Sequence, residues 1–354
     1  VTGVAVLTIK MATDFNKSMA NVATLIPGNI DRVNELKKSV QGLAIAHGKD
    51  TADLARGLYQ TISAFGDKAG QTVKILEINS KAAAAGLAST TEAIDLTAVV
   101  TKNYGDTTAE AVQKAADLAL MTVRLGQTDF PSLARSMGKV IPLAQAMGQT
   151  QEELFAVFAT ATGVVGKASE VATQYRGILA GLSDPSKELA AVLRDQGFAS
   201  GEAMLAQLGL ADTMKVIREE SEKTGIPMVK FIKSLESVPL ALALAGPQAD
   251  VFKAKLAELG NAAGTSEEAF LAMTGGVNEF GFRMDQVRQQ ITVLAQNIGQ
   301  VLIPIANDLL KTFQAFIENE GPAIAEMFGL FLVDSIDLAV AGIARFAEAV
   351  NFLQ

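Results

Sequence analysis

Two places in this sequence hold side chains that could take part in acid–base chemistry. His47, the single histidine, lies in AIAHGKD beside Gly48, where a helix is predicted to end. A catalytic histidine needs a nucleophile or an acid as its partner, and no neighbouring pattern supplies one. The cluster REESEK (218–223) could provide the paired carboxylates of a glycosidase. We interpret His47 as helix-terminal or solvated, and 218–223, with Lys215 and Lys223 at helical spacing, as a solvated helix face.

Two further stretches have the composition of a functional loop or of an apolar segment. TGGVNEFG (274–281) holds a glycine pair, but no strand precedes it and no GK[ST] follows, so a hinge is favoured over a phosphate loop. SVPLALALAGPQA (237–249) lies between Pro239 and Pro247 and is too short to span a bilayer. We interpret 237–249 as a buried core segment.

Composition excludes several classes of site. The chain has 354 residues, of which 49% are hydrophobic, with no cysteine, one histidine and a net charge of −8. The lack of cysteine excludes disulfides and thiolate-bound metal, and one histidine cannot form a multi-histidine zinc site. An acidic chain also lacks the basic surface that nucleic-acid binding needs. We therefore expect no catalytic residue, no cofactor, no metal and no specific nucleic-acid binding.

The ends of the chain and its hydropathy give two more expectations. The sequence begins at Val1 rather than at a methionine and stops in the helical pattern EAVNFLQ, so we expect part of a longer protein. No charged n-region and no uncharged apolar stretch of 18 or more residues is present, so neither a secretory signal nor an ordinary membrane span is expected.

The elements that position all these residues are predicted to be helices. Glycine-led breaks recur, and after several of them a hydroxyl residue is followed three positions later by an acid, which is the spacing of a capping box. The four pairs are Ser89/Glu92, Thr107/Glu110, Thr150/Glu153 and Thr265/Glu268. Strand periodicity is absent. The sequence therefore predicts an all-α fold, in which an array of short antiparallel helices is followed by longer amphipathic, coiled-coil-like helices.

A regular apolar stripe begins at Val287. Its members recur at spacings of four and three residues, close to a coiled-coil heptad, and are Val287, Ile291, Leu294, Ile298 and Val301. Mostly glutamine occupies the flanks, at Gln289, Gln290, Gln296 and Gln300, together with Arg288. We assign the five apolar residues to oligomerisation, and a core helix of the same domain is the alternative.

Pro304 interrupts this stripe within NIGQVLIPIANDLL (297–310). An interior proline removes a backbone hydrogen bond, clashes with the preceding turn and costs about 3 kcal/mol relative to alanine. In a first turn the missing N–H costs little. We therefore predict that one helix closes near 303 and that a new helix starts near Pro304.

The segment 323–350 is apolar around most of a predicted helix. Its five charged residues fall within an arc of roughly 100° at 100° per residue. Such a helix must be covered, and burial in this chain or in sister subunits is favoured. Membrane contact is the alternative, although an acidic polar face does not suit an anionic lipid surface.

The order of the segments resembles the conserved helical region of phage tail tape measure proteins of the TP901-like family. The resembling pieces begin with DFNKSMANVATL (14–25) and continue through 35–66, 77–105, 117–186 and 244–256 to 297–310. Two departures, EVATQYRGIL (170–179) and LAG (244–246), differ from turns that are common in the family. The resemblance covers about residues 14–310, and it lies in the ordered combination rather than in any one motif.

The resemblance implies a structural role with no enzymatic activity. Such a protein occupies the lumen of the phage tail tube in the virion, templates tube assembly and length, and is released during genome ejection, having been made in the bacterial host cytoplasm. Implied partners are the tail tube protein, tail tip or baseplate proteins, a tail assembly chaperone and the host membrane during ejection. A small parallel homo-oligomer, such as a trimer, would fit a narrow tube.

Two alternative functions belong to different classes. A membrane-active helical protein that assists DNA passage across the host envelope would depend on 323–350. A tail-associated cell-wall hydrolase would need several histidines for a metallopeptidase, or paired carboxylates with an aromatic sugar platform for a muramidase. The predicted organisation is a tape-measure helical domain at 1–280, amphipathic exit helices with the Pro304 break at 281–320, and an apolar amphipathic helix at 321–354 that starts an elongated region.

Overall fold

The structure is a computed structural model that describes residues 2–320. Over this range the chain forms seventeen α-helices, one 3₁₀ helix (Gly276–Asn278) and one isolated bridge between Thr162 and Gly166, with no strand. The predicted all-α fold is therefore confirmed. The apolar segment 323–350 lies outside the described residues, so the predictions made for it stay untested.

The helices follow one another with short connections. They are α1 (Thr2–Ala23), α2 (Ile30–His47), α3 (Thr51–Phe65), α4 (Gln71–Ala85), α5 (Thr90–Asn103), α6 (Ala109–Leu125), α7 (Phe130–Met137), α8 (Ile141–Ala146), α9 (Gln151–Ala161), α10 (Ala168–Ser183), α11 (Lys187–Asp195), α12 (Gly201–Thr224), α13 (Val229–Ile232), α14 (Val238–Leu244), α15 (Ala249–Leu259), α16 (Thr265–Thr274) and α17 (Glu279–Glu320). None of these described helices is apolar over a length sufficient to cross a bilayer.

The chain divides into two compact units. Over the described residues, the first unit combines 2–55 with 283–320, and the second unit is 56–282. The predicted organisation into 1–280, 281–320 and 321–354 stays a prediction. In this division residues 2–55 group with α17 rather than with the residues that follow them. That grouping depends on contacts between distant parts of the sequence.

The second unit is a layered array of short helices. Helix α4 packs against α5, α6 and α16; α6 also contacts α9, and α9 contacts α15. Helix α10 lies against α7, α9, α13 and α14. The largest fully buried side chains in this unit include Phe130, Phe155, Phe158, Tyr175 and Phe231. Aromatic and aliphatic side chains together therefore form the core that the alanine-rich helices surround.

Two of the four predicted capping boxes are present. The Ser89 hydroxyl accepts a hydrogen bond from the backbone N–H of Glu92 (3.2 Å), and the Glu92 carboxylate accepts one from the N–H of Ser89 (3.0 Å). Thr150 and Glu153 make the same reciprocal pair at 3.1 and 2.8 Å. Both predictions are confirmed, because the interaction is local to the first turn of each helix.

The other two predicted boxes are wrong. Helix α6 is capped by Thr108, whose hydroxyl accepts from the N–H of Ala111, so the cap lies one residue after Thr107. Helix α16 has Gly264 as its N-cap, with no side-chain cap of its own. The carboxylate of Asp117, on α6, takes that place. It accepts from the N–H groups of Gly264 (3.0 Å) and Ser266 (2.8 Å), and a distant residue thus replaces the local cap.

The predicted break at Pro304 is also wrong. Helix α17 runs continuously from Glu279 to Glu320 with Pro304 inside it. Proline removes one intrahelical hydrogen bond, the one that its nitrogen would donate to the carbonyl of Gln300. The ring lies on the exposed side of the helix, where no neighbouring helix crowds it. Helical residues on both sides keep their own hydrogen bonds, so the local cost does not end the helix.

Candidate functional site

The side chains suited to acid–base chemistry occupy structural positions. His47 is the last residue of α2 and is buried, and Gly48 ends the helix in the left-handed conformation with φ of 63°. The helix-terminal interpretation is confirmed, whereas the solvated one is not. Within 218–223, Arg218 pairs with Glu222 at 2.8 Å and Lys223 with Glu220 at 3.1 Å along the helix surface. The predicted solvated face is therefore confirmed.

The two remaining stretches also have structural roles. In 274–281, α16 ends at Thr274, and Gly276, with φ of 56°, begins the single 3₁₀ turn that leads into α17. In 237–249, α14 buries Leu240 and Leu244 completely. The predicted core segment is confirmed for that face of the helix. Among the described residues no group of three or more His, Asp or Glu side chains is placed to hold a metal ion.

Two tyrosines of the second unit, the buried Tyr175 and the half-buried Tyr104, make hydrogen bonds to the same glutamine. The hydroxyl of Tyr175 donates to the side-chain oxygen of Gln149 (3.0 Å), and that of Tyr104 donates to the backbone carbonyl of the same residue (2.9 Å). Burial raises the pKa of both phenols above the ordinary value, and the nearby Glu153 adds to the effect. Both hydroxyls donate to Gln149, so this cluster joins helices and has no acid–base partner that suggests catalysis.

The predicted oligomerisation residues form a long apolar stripe on α17 in the first unit. Val287, Leu294 and Val301 are 43%, 45% and 71% exposed, while Ile291 and Ile298 are half-buried. The same spacing of three and four residues extends to Met284 before them and to Ile305 after them, and both are also exposed. We call these seven residues the seam; they are Met284, Val287, Ile291, Leu294, Ile298, Val301 and Ile305. Met284 was not among the predicted residues, although the heptad spacing includes it.

The opposite side of α17 is the one that packs within the chain. Gln289, Val293, Gln296 and Gly299 are buried there. The sequence pattern placed the glutamines on a flank, and this is corrected: two of them lie in the interior of the first unit. The helix therefore buries its more polar side and leaves its most apolar side accessible, contrary to what hydrophobicity alone would favour.

Hydrogen bonds explain how glutamines can be buried here. The side-chain N–H of Gln41, on α2, donates to the side-chain oxygens of Gln296 (3.1 Å) and Asn297 (3.3 Å). Gln296 in turn donates to the hydroxyl of Thr51 (2.8 Å). We call these four residues, Gln41, Thr51, Gln296 and Asn297, the glutamine layer. Nearby, Gln286 donates to the backbone carbonyl of Ala46 (3.1 Å).

Gly299 brings α17 close to α1. A Cβ atom at this position would collide with the backbone carbonyl oxygen of Thr8 and would lie 2.6 Å from the Cβ of Ala12. Only glycine allows this approach of the two helices without displacement of the backbone. The glutamine layer and Gly299 thus define which side of α17 faces α1 and α2.

The seam has no chemistry other than apolar contact. Asp285 and Arg288 lie beside its first turn, and from residue 289 to 307 the sequence contains no Asp, Glu, Lys or Arg. The seam spans 22 residues, about 33 Å of helix at 1.5 Å per residue. A surface of this length, with apolar side chains at heptad spacing, fits the corresponding surface of another helix.

Comparison with known proteins places the chain in a family. The family described as phage-related minor tail protein matches residues 37–234. A protein of Pneumococcus phage Dp-1 named "Tape measure protein" is 24% identical over 317 residues, which is 85% of this chain and 23% of that protein. No solved structure is significantly similar. The chain belongs to the family of phage-related minor tail proteins.

Proposed function

We propose that this chain is a helical module of a tape measure protein of the TP901-like type, located in the lumen of the phage tail. The relative from phage Dp-1 supports this proposal, and the chain spans only 23% of that relative's length. The module would act as a structural part without enzymatic activity while the tube assembles around the longer protein. Templating of length would reside mainly in sequence outside these short helices.

The observation that carries the proposal is the exposed seam of α17. Complete burial of a Val, Leu, Ile or Met side chain contributes about 1.5–3 kcal/mol. Two copies joined along the seam would remove fourteen half-exposed or exposed side chains from water. Since these side chains are already partly buried, about half of that value for each gives a total gain comparable to an association cost of about 4–15 kcal/mol. Within the range of the seam the charged residues are Asp285 and Arg288, which pair with each other at 3.6 Å, so little would repel an identical helix and a second copy of this chain is the proposed occupant.

Self-association would align copies inside a tail tube. Parallel copies would place the same residue of each chain at the same height, as cyclic symmetry requires. Isoleucine at alternate seam positions, with Val and Leu between, does not fix the number of strands. A small bundle such as a trimer is proposed, with the tail tube protein, tip or baseplate proteins and an assembly chaperone as further partners of the whole protein.

The location can be tested in virions. Mass spectrometry of purified phage, before and after triggered DNA ejection, should detect peptides from 56–282 in intact particles and lose them from emptied ones. Peptides of the tail tube protein serve as the internal control, because they remain after ejection. Retention of the 56–282 peptides in emptied tails would refute a location in the lumen.

Self-association can be tested in the full chain. Leu294→Asp combined with Ile298→Asp places two charges on the seam and should abolish association in sedimentation experiments at tens of micromolar. Gln290→Asp combined with Asn307→Asp adds the same charges at exposed positions of the same helix, outside both the seam and the glutamine layer, and is the matched control. A monomeric unmodified chain, or an oligomer that survives the seam variant, would contradict this proposal.

A further inference from the structure

We propose that the glutamine layer and Gly299 act as a rotational lock that holds the seam outward on α17. The lock deepens the self-association proposed above, since its purpose depends on a partner for the seam. Its physical basis is independent of that partner. It concerns which side of one helix faces α1 and α2 within a single chain.

Helix α17 has two sides that could pack against α1 and α2. A rotation of about half a turn would bury the seam and expose Gln289 and Gln296. Burial of apolar surface would favour that rotated arrangement. The observed arrangement is the opposite one, with Gln296 only 3% exposed and Leu294 45% exposed. Specific contacts must therefore outweigh the hydrophobic preference.

The first of these contacts is the hydrogen-bond network. Gln41 is buried at 8% exposure and Thr51 at 3%, and both make their hydrogen bonds to α17 through Gln296 and Asn297. In the rotated arrangement Gln41 and Thr51 would face Leu294 and its apolar neighbours. Buried polar groups that lose their partners are strongly unfavourable. Rotation of α17 is therefore unfavourable because it removes the hydrogen-bond partners of Gln41 on α2 and Thr51 on α3.

The second contact is steric. Gly299 lies where α17 approaches the backbone of Thr8, and a Cβ there would collide with the Thr8 carbonyl oxygen. Half a turn of rotation would bring branched seam side chains such as Ile298 and Val301 toward the same backbone. The gap that accepts Gly299 cannot accept them without displacing α1. Shape and hydrogen bonding therefore select the same orientation.

The lock can be tested by thiol labelling, because the chain contains no cysteine. Single-cysteine chains Leu294→Cys and Val293→Cys report the outward and the buried side of α17. Both are labelled at a dilution at which the chain sediments as a monomer. The rate at 294 should exceed that at 293 by at least about tenfold, because buried sites react only through local opening.

Changing the polar partners should then release the helix. Gln41→Leu with Thr51→Val makes the surface of α2 and α3 that faces α17 apolar and leaves Gln296 without its hydrogen bonds. The contrast, meaning the ratio of the labelling rate at 294 to that at 293, should therefore fall to about one. Adding Gln296→Leu makes both surfaces apolar and should restore the contrast. Persistence of the tenfold contrast in the Gln41→Leu/Thr51→Val chain, or no recovery with Gln296→Leu, would overturn the lock.

A second variant covers the case in which the first fails to fold by circular dichroism. Gly299→Ala adds one methyl group and obstructs only the observed orientation. It should therefore also reduce the ratio of the labelling rates at 294 and 293, by about tenfold. An unchanged contrast in a folded Gly299→Ala chain would overturn the lock. Failure of self-association alone would leave this labelling pattern intact, so the two proposals are separable.

Discussion

Gln41 and Gln296 are 255 positions apart in the sequence and are joined by a buried hydrogen bond of 3.1 Å. The bond links α2 to α17. It thus joins the two segments of the first unit, which the whole second unit separates in the sequence. Gln296 extends the link to Thr51 at 2.8 Å. The N-terminal helices therefore contact the last described helix through two polar side chains, which do not belong to the apolar stripe of α17.

Removal of Gln296 should destabilise the first unit. Gln296→Ala leaves Gln41 and Thr51 buried without these hydrogen bonds, which should cost about 1–3 kcal/mol. Urea unfolding followed by circular dichroism measures the change in the free energy of unfolding. Gln290→Ala, on the exposed side of the same helix, is the control and should change it by less than about 0.5 kcal/mol. Equal effects of the two substitutions would contradict the structural role of the layer.

Asp117 should be essential for the position of α16. Asp117→Ala removes an acceptor for the N–H groups of Gly264 and Ser266 and for the Ser266 hydroxyl (2.5 Å), at a cost of about 2–3 kcal/mol. Hydrogen exchange should show faster exchange at the start of α16. Asp250→Ala, on the surface of α15, provides the comparison. Unchanged protection of Ser266 in the Asp117→Ala chain would show that the tertiary cap is unimportant.

Self-association through the seam should be nearly independent of salt. Apart from Asp285 and Arg288 beside its first turn, no charged residue lies within the range of the seam, so salt screening has few charge interactions to weaken. Raising NaCl from about 50 mM to about 1 M should increase the Kd of self-association by less than about threefold. Sedimentation velocity at the two salt concentrations measures this. Dissociation of the oligomer at high salt would indicate that charged surfaces elsewhere form the contact.

Stability should decrease at alkaline pH through Tyr104 and Tyr175. In the unfolded chain Tyr104 and Tyr175 lose their protons near pH 10, whereas burial raises the pKa of both in the folded chain. The folded state then holds more protons, so the contribution to stability is complete below about pH 10 and decreases as the pH rises further. Urea midpoints from pH 7 to 11 should show this decrease.

A variant isolates the contribution of one tyrosine. Tyr175→Phe removes a group that deprotonates on unfolding, so its stability should fall less steeply above about pH 10 than that of the unmodified chain. Tyr59→Phe, on the surface, serves as the comparison. A Tyr175→Phe chain with the same alkaline slope as the unmodified protein would disprove this assignment.

The chain should not degrade peptidoglycan. The expectation comes from the single histidine and from the absence of a catalytic pattern around His47 and 218–223. A zymogram of the purified chain should show no clearing, with lysozyme as the positive control. A cleared band at 37.1 kDa would place the chain in the alternative class of tail-associated hydrolases.

Local sequence was sufficient for the helical class and for several helix starts. Ser89 and Thr150 cap the helices that follow them because each hydroxyl needs only the N–H three residues ahead. The same rule failed at Thr265, where Asp117 supplies the cap from 149 positions away from Ser266. A capping pattern describes one turn of backbone, and it holds no information about a carboxylate on another helix.

Helix α17 shows which features the sequence determined and which the tertiary structure determined. Heptad spacing from Val287 to Val301 determined that one side of the helix is continuously apolar, because periodicity is a property of the sequence alone. Which side faces the chain's own helices depended on Gln41, Thr51 and Thr8, which lie more than two hundred residues away. Hydrogen bonding and close backbone approach are properties of three-dimensional placement. They buried the glutamines and left the apolar side accessible, an outcome that hydrophobic periodicity could not reveal.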